Sequence, residues 1–130
     1  MSQPFAYVGT WTIKPGKLEE AKKVMSEHAA LVEASEPRLI AFHVYFDDAG
    51  NTASVVQVHP DSASMETHMQ VIAEHLGPAF EVIDTILSEQ YFGSMSESLS
   101  QTLAQWETPE VKVTKMPAYV AGFTRTNAAP

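Results

Sequence analysis

The chain has 130 residues, 45 % of them hydrophobic, and sixteen acidic against eight basic side chains for a formal charge of −8. That length suits one domain over 1–130, and the apolar fraction is enough to bury a core. The scattered cations form no concentrated face for phosphates, so neither nucleic acid nor an anionic membrane is an expected partner. With no cysteine, disulfides, thiolate nucleophiles and Cys-bound metals are excluded together. The first residues lack a basic segment before an apolar run, and no apolar stretch approaches a membrane span, so the expected location is cytoplasmic.

Phe5 to Lys14 alternates large side chains (Phe5, Tyr7, Trp11, Ile13) with Ala6, Val8, Thr10 and Thr12. That period of two predicts a strand, closed by Pro15-Gly16. From Lys17 to Ser35 the apolar residues recur at three and four (Leu18, Ala21, Met25, Ala29, Val32), which predicts an amphipathic helix stopped by Pro37. Leu39–Phe46 and Thr52–His59 flank a loop containing Gly50 and predict an antiparallel hairpin. If that loop sets odd positions opposite one another, His43, Tyr45, Gln57 and His59 share one sheet face.

Asp61 is the expected N-cap of a second helix with Met65, Met69, Ile72 and Leu76 on its apolar stripe. Gly77-Pro78 interrupts it, helical spacing resumes from Ala79 to Leu87, and Glu89–Met95 reads as a fourth strand. The tail adds a short helix carrying Leu99, Leu103 and Trp106, with Ser94 and Glu97 as its expected capping box. Extended segments are expected at Val111–Lys115 and Ala118–Arg125, and fraying at Asn127–Pro130. The apolar stripe of the tail should dock on the body or on a partner.

This order is β-α-β-β-α-β, an α+β ferredoxin-like sheet with two helices on one face over residues 5–95, followed by an extension over 96–130. The other sheet face needs a cover, and a second copy of the chain supplies one, which predicts a homodimer.

Strand–Pro–Gly before an acidic helix, with Val58-His59-Pro60-Asp61 running into Met65-Glu66-Thr67-His68-Met69, resembles the antibiotic-biosynthesis-monooxygenase domains. The resemblance covers residues 5–95. It implies a dimeric α/β barrel, a pocket between each sheet and its helices, and enzymes that oxidise quinols or polyketides without metal or flavin. Haem degraders of that family carry an asparagine on the first strand, a tryptophan late on the third and a histidine on the second helix. Here only His68 matches, and His59 stands near the tryptophan position, so the resemblance does not carry haem degradation.

Five histidines are present, at 28, 43, 59, 68 and 75. None has a histidine or carboxylate at a chelating helical offset, and His68 and His75 are about 10 Å apart along a helix. No metal and no cofactor is expected. His68 and His43 are the candidate general bases, since imidazole titrates near neutrality. Trp11, Tyr45, Gln57, His59, His75 and Phe80 are the candidate contacts for a small aromatic or other apolar metabolite. Two functions stay open: an oxygenase in which histidine deprotonates an electron-rich quinol or polyketide-like ring, and a dimer that binds a metabolite, or only packs, without turnover.

Overall fold

The computed structural model describes residues 3–125, so the terminal segment expected to fray lies outside the described residues. Its elements are β1 (Phe5–Ile13), α1 (Leu18–Ser35), β2 (Ala41–Phe46), β3 (Thr52–His59), α2 (Ser62–Ile72), a 3-10 turn (Ala73–His75), α3 (Leu76–Val82), β4 (Ile83–Phe92), α4 (Glu97–Ala104) and β5 (Lys112–Met116). The sheet runs β2-β3-β1-β4-β5. Its first four strands are antiparallel, and β5 adds to the edge parallel to β4. This is the α+β ferredoxin-like arrangement, extended by one strand; the sheet is open.

Odd positions of β1 and β3 face the helices. Trp11, Ile13 and Ala53 pack with Ala21 and Met25 of α1 and with Ala79 and Val82 of α3. Phe5 and Tyr91 pack with Met65 of α2 and with Leu99 and Leu103 of α4. The tail stripe therefore does dock on the body, and β5 lengthens the sheet. Asp61 caps α2 as expected, accepting from Ser64 N at 3.0 Å.

Four expectations are corrected. The hairpin register sets Phe42 opposite Gln57, His43 opposite Val56 and Tyr45 opposite Ser54. Asp47 closes the loop, its Oδ1 accepting from Asn51 N (2.9 Å) and Thr52 N (3.1 Å). Phe46 then pairs with Ala53, so an even number of residues intervenes and odd positions meet even ones. Gly50 (φ +73°) is the left-handed residue of that loop, and a Cβ there would come within 2.7 Å of Leu18 Cδ2.

The second correction concerns β4, which begins at Ile83 where helix was expected through Leu87. Lys14 N donates to Val82 O at 2.9 Å, drawing the chain into the sheet beside the end of β1. Register shifts near Trp11 place Ile83 opposite Ile13 and Ile86 opposite Trp11. A bulged strand thus put two apolar residues three apart on one face, which imitates helical spacing.

Third, the cap of α4 is Ser96, whose Oγ accepts from Leu99 N at 3.1 Å; Ser94 Oγ instead donates to Pro117 O. Fourth, Ala118–Arg125 pairs with no strand among the described residues. Among those residues no helix is long and apolar enough to cross a membrane.

Candidate functional site

Glu36 follows α1 and precedes Pro37, which keeps it out of the helical conformation (φ −127°, ψ 75°). That departure lets its carboxylate turn inward, where it is buried. Glu36 Oε2 lies 2.8 Å from His68 Nδ1 on α2. A carboxylate only accepts, so Nδ1 carries the hydrogen, and Nε2, which faces an amide nitrogen that only donates, is the acceptor. Nε2 faces Gln57 Nε2 at 3.3 Å, Gln57 Oε1 lies 2.9 Å from His59 Nε2, and His59 Nδ1 lies 2.8 Å from Ser64 Oγ.

The directions are mutually forced. Ser64 donates to His59, His59 to Gln57, Gln57 to His68 and His68 to Glu36. Burial, reinforced by neighbouring His68, lowers the pKa of His59 to about 3, which keeps it neutral within the chain. A histidine oriented by a buried carboxylate, with its second nitrogen as the basic atom, is the usual base–orienter pair of acid–base enzymes.

A second polar pair sits one strand away. Tyr7 on β1 is opposite both Gln57 on β3 and Tyr91 on β4. Its ring stacks on Tyr91 at 5.5 Å, and its hydroxyl hydrogen-bonds to Glu89 Oε2. Glu89 is the cross-strand partner of Gly9, and the glycine is what makes room. A Cβ at Gly9 would collide with the Tyr7 hydroxyl and stand 3.1 Å from Glu89 Oε2. Burial raises the pKa of Glu89 to about 7, Tyr7 acting in the opposite sense and Glu107 adding to the rise. Burial and then Glu89 push the Tyr7 phenol well above its ordinary value.

His68 of the first pair and both residues of the second border one cavity of about 150 Å³ between the sheet and the helices. An apolar cavity of that size accommodates a benzene ring. Its polar border is Tyr7, Gln57, His28, His68 and Glu89; Phe42, Met25, Met65, Met69 and Ile72 contribute much of the apolar wall. Phe80 and Trp106 stack at 5.6 Å, and with Phe80 41 % exposed they stand at the outer end of the space. A few polar groups converging on an apolar hollow is the usual composition of a small-molecule site. Among the described residues no group of three or more histidines and carboxylates is placed to hold a metal ion.

No protein-family model and no curated protein matches the chain. Solved structures do. MupZ from Pseudomonas fluorescens superposes over 100 % of this chain and 95 % of its own, with TM-score 0.76 and 19 % identity. Several solved structures described as candidate antibiotic biosynthesis monooxygenases share this fold. A candidate antibiotic biosynthesis monooxygenase from Caulobacter crescentus matches 73 % of this chain and 92 % of its own (TM-score 0.64, 16 % identity). SnoaB from Streptomyces nogalater, a cofactor-independent oxygenase, matches 73 % and 96 % (TM-score 0.58, 16 % identity). Of these three, MupZ is the one whose match spans the whole chain, α4 and β5 included.

Within this monooxygenase-like fold the expected site residues separate into three groups. His68, Gln57, Trp11 and Phe80 border the cavity. His59 is fully buried behind Gln57, to which it hydrogen-bonds, and does not border the cavity. His43 and Tyr45 project from the opposite sheet face, where Tyr45 is 59 % exposed, and His75 is exposed on the 3-10 turn. The four tips expected on one face are therefore split two and two by the hairpin register.

Glu36, Glu89, His28 and the pairing role of Tyr7 escaped the sequence reading. Glu89 carried one signal, since it shares the inward phase of Tyr91 two residues on. His28 borders the cavity from α1, stacked on Phe42 at 5.9 Å, and burial, with His68 and His75 adding, lowers its pKa.

Proposed function

We propose that this chain is a cofactor-independent enzyme that uses His68 as a general base on an electron-rich aromatic molecule and lets the resulting anion react with O₂. The observation that carries this reading is His68 at the border of a ring-sized apolar cavity, held from behind by the buried Glu36 carboxylate. SnoaB, described as a cofactor-independent oxygenase, has the same fold. Glu36 fixes the tautomer, so Nε2 is the atom that receives the proton. A substrate hydroxyl or activated C–H competes there with the long contact from Gln57. For an anthrone-type methylene the balance is CH₂ + O₂ → C=O + H₂O, with one oxygen atom kept in the product carbonyl and the other leaving as water. The cavity supplies orientation and exclusion of water.

Purified protein treated with chelator should consume O₂ with anthrone, and His68→Ala should slow that uptake by roughly 10²- to 10⁴-fold, the usual contribution of a general base. Glu36→Gln should slow it less, because the base persists while its orientation is lost. Saturable anthrone binding with no O₂ uptake would instead establish a binding protein. We also propose that the functional unit is a homodimer, closed across the sheet face that no helix covers.

A further inference from the structure

We propose that Tyr7 and Glu89 form an acidic pole of the same cavity that donates a proton to a ligand carbonyl oxygen, so that the site enolises a cyclic ketone whether or not O₂ is present. This extends the base assigned to His68, but it does not need the oxygenation step.

The placement comes first. Gln57, Tyr7 and Tyr91 occupy one row across β3, β1 and β4, and Val55, Gly9 and Glu89 occupy the next. Tyr7 leans across the space left by Gly9 to reach Glu89. Cross-strand neighbours stand about 5 Å apart at Cβ, so Tyr7 and the Gln57 that contacts His68 adjoin in one row, and both border the cavity. A single ring in the cavity has both the His68 imidazole and the phenol–carboxyl pair on its border.

A buried carboxyl without a cation is costly to keep as structure alone. No lysine or arginine borders the cavity. The titratable groups that face Glu89 are Tyr7 on β1, Tyr91 on β4 and Glu107 beyond α4, while His28 on α1 and His68 on α2 face the cavity itself. When Glu89 is ionised, the Tyr7 hydrogen is committed to it. When Glu89 holds a proton it donates to the phenol oxygen, and the phenol O–H turns to the ligand.

The step then balances without a co-reactant. His68 Nε2 takes the α-proton, the C–H electron pair becomes the C=C bond, the carbonyl π pair moves to oxygen, and Tyr7 protonates that oxygen while Glu89 replaces the phenol proton. Reversal returns a proton from solvent to carbon, so in D₂O the ketone gains deuterium.

The test is deuterium incorporation into 1-indanone in D₂O under argon, followed by mass spectrometry, with ligand affinity measured in parallel. Wild type should exchange, with a rate that falls as pH rises through about 7, the value to which burial raises Glu89. Tyr7→Phe and Glu89→Gln should each lower exchange by about 10²-fold or more with indanone affinity within a few-fold, and Glu89→Gln should abolish the alkaline fall. His68→Ala should slow exchange by roughly 10²- to 10⁴-fold, the usual contribution of a general base. Unchanged exchange in both folded variants, or bound indanone that wild type never deuterates, overturns the proposal. O₂ uptake is read separately, so exchange without uptake refutes oxygenation alone, and uptake without exchange refutes the acidic pole alone.

Discussion

Glu89 and His59 are both buried on the helix side of the sheet, and burial acts on them in opposite senses. Between 4.5 and about 7, Glu89 keeps its proton in the folded chain and loses it in the unfolded one, so raising the pH through that interval favours unfolding. Between about 3 and 6.5, His59 gains a proton only when unfolded, so lowering the pH through that interval favours unfolding. The two slopes offset each other from 4.5 to 6.5. Replacing Glu89 by Gln removes only the first. The stability of Glu89→Gln relative to wild type should therefore climb by up to roughly 3 kcal/mol between pH 4.5 and 7, at about 1.4 kcal/mol per unit. Urea denaturation at fixed pH measures this, and parallel curves for the two proteins would contradict the burial account. The sequence made His68 visible because a histidine on an apolar helix edge stands out. It hid Glu36 and Glu89, since a carboxylate turned inward by a following proline or by a strand phase reads like any solvated one.

At the scale of elements, the periods of β1, α1, β3 and α2 were legible because each buries one face throughout, and α4 was betrayed by its leucines. Two features were not. The phase of β2 depends on loop parity, which the Asp47 side chain decides through hydrogen bonds that no period encodes. The start of β4 depends on a bulge against Trp11. The register leaves Ala6, Val8, Val56 and Val58 on the face away from the helices, with His43 and Tyr45 beside them. An apolar strip of this kind on central strands calls for a cover, which is why a homodimer is proposed. Sedimentation at low micromolar concentration should show only dimer, and Val56→Asp should shift it to monomer. A stable, folded wild-type monomer there would remove the proposal.

For the whole molecule, the β-α-β-β-α-β order was readable, and the resemblance drawn from Pro15-Gly16 and His68 led to the fold that MupZ and SnoaB share. The resemblance implied a pocket between the sheet and its helices, but its lining was not readable, because four helices and the sheet make it together and Gly9 leaves the space that Tyr7 crosses. On the proposed function a ligand binds under the helices and not on the outer sheet face where His43 and Tyr45 lie. Methionine methyl NMR tests this directly, with phenol as the ring-sized probe. Met25, Met65 and Met69 border the cavity, whereas Met116 is 58 % exposed on the edge strand. Phenol should shift the first three methyl signals along one saturable curve and leave Met116 unmoved. Saturable binding that leaves Met25, Met65 and Met69 in place, or no saturable binding, would contradict the account.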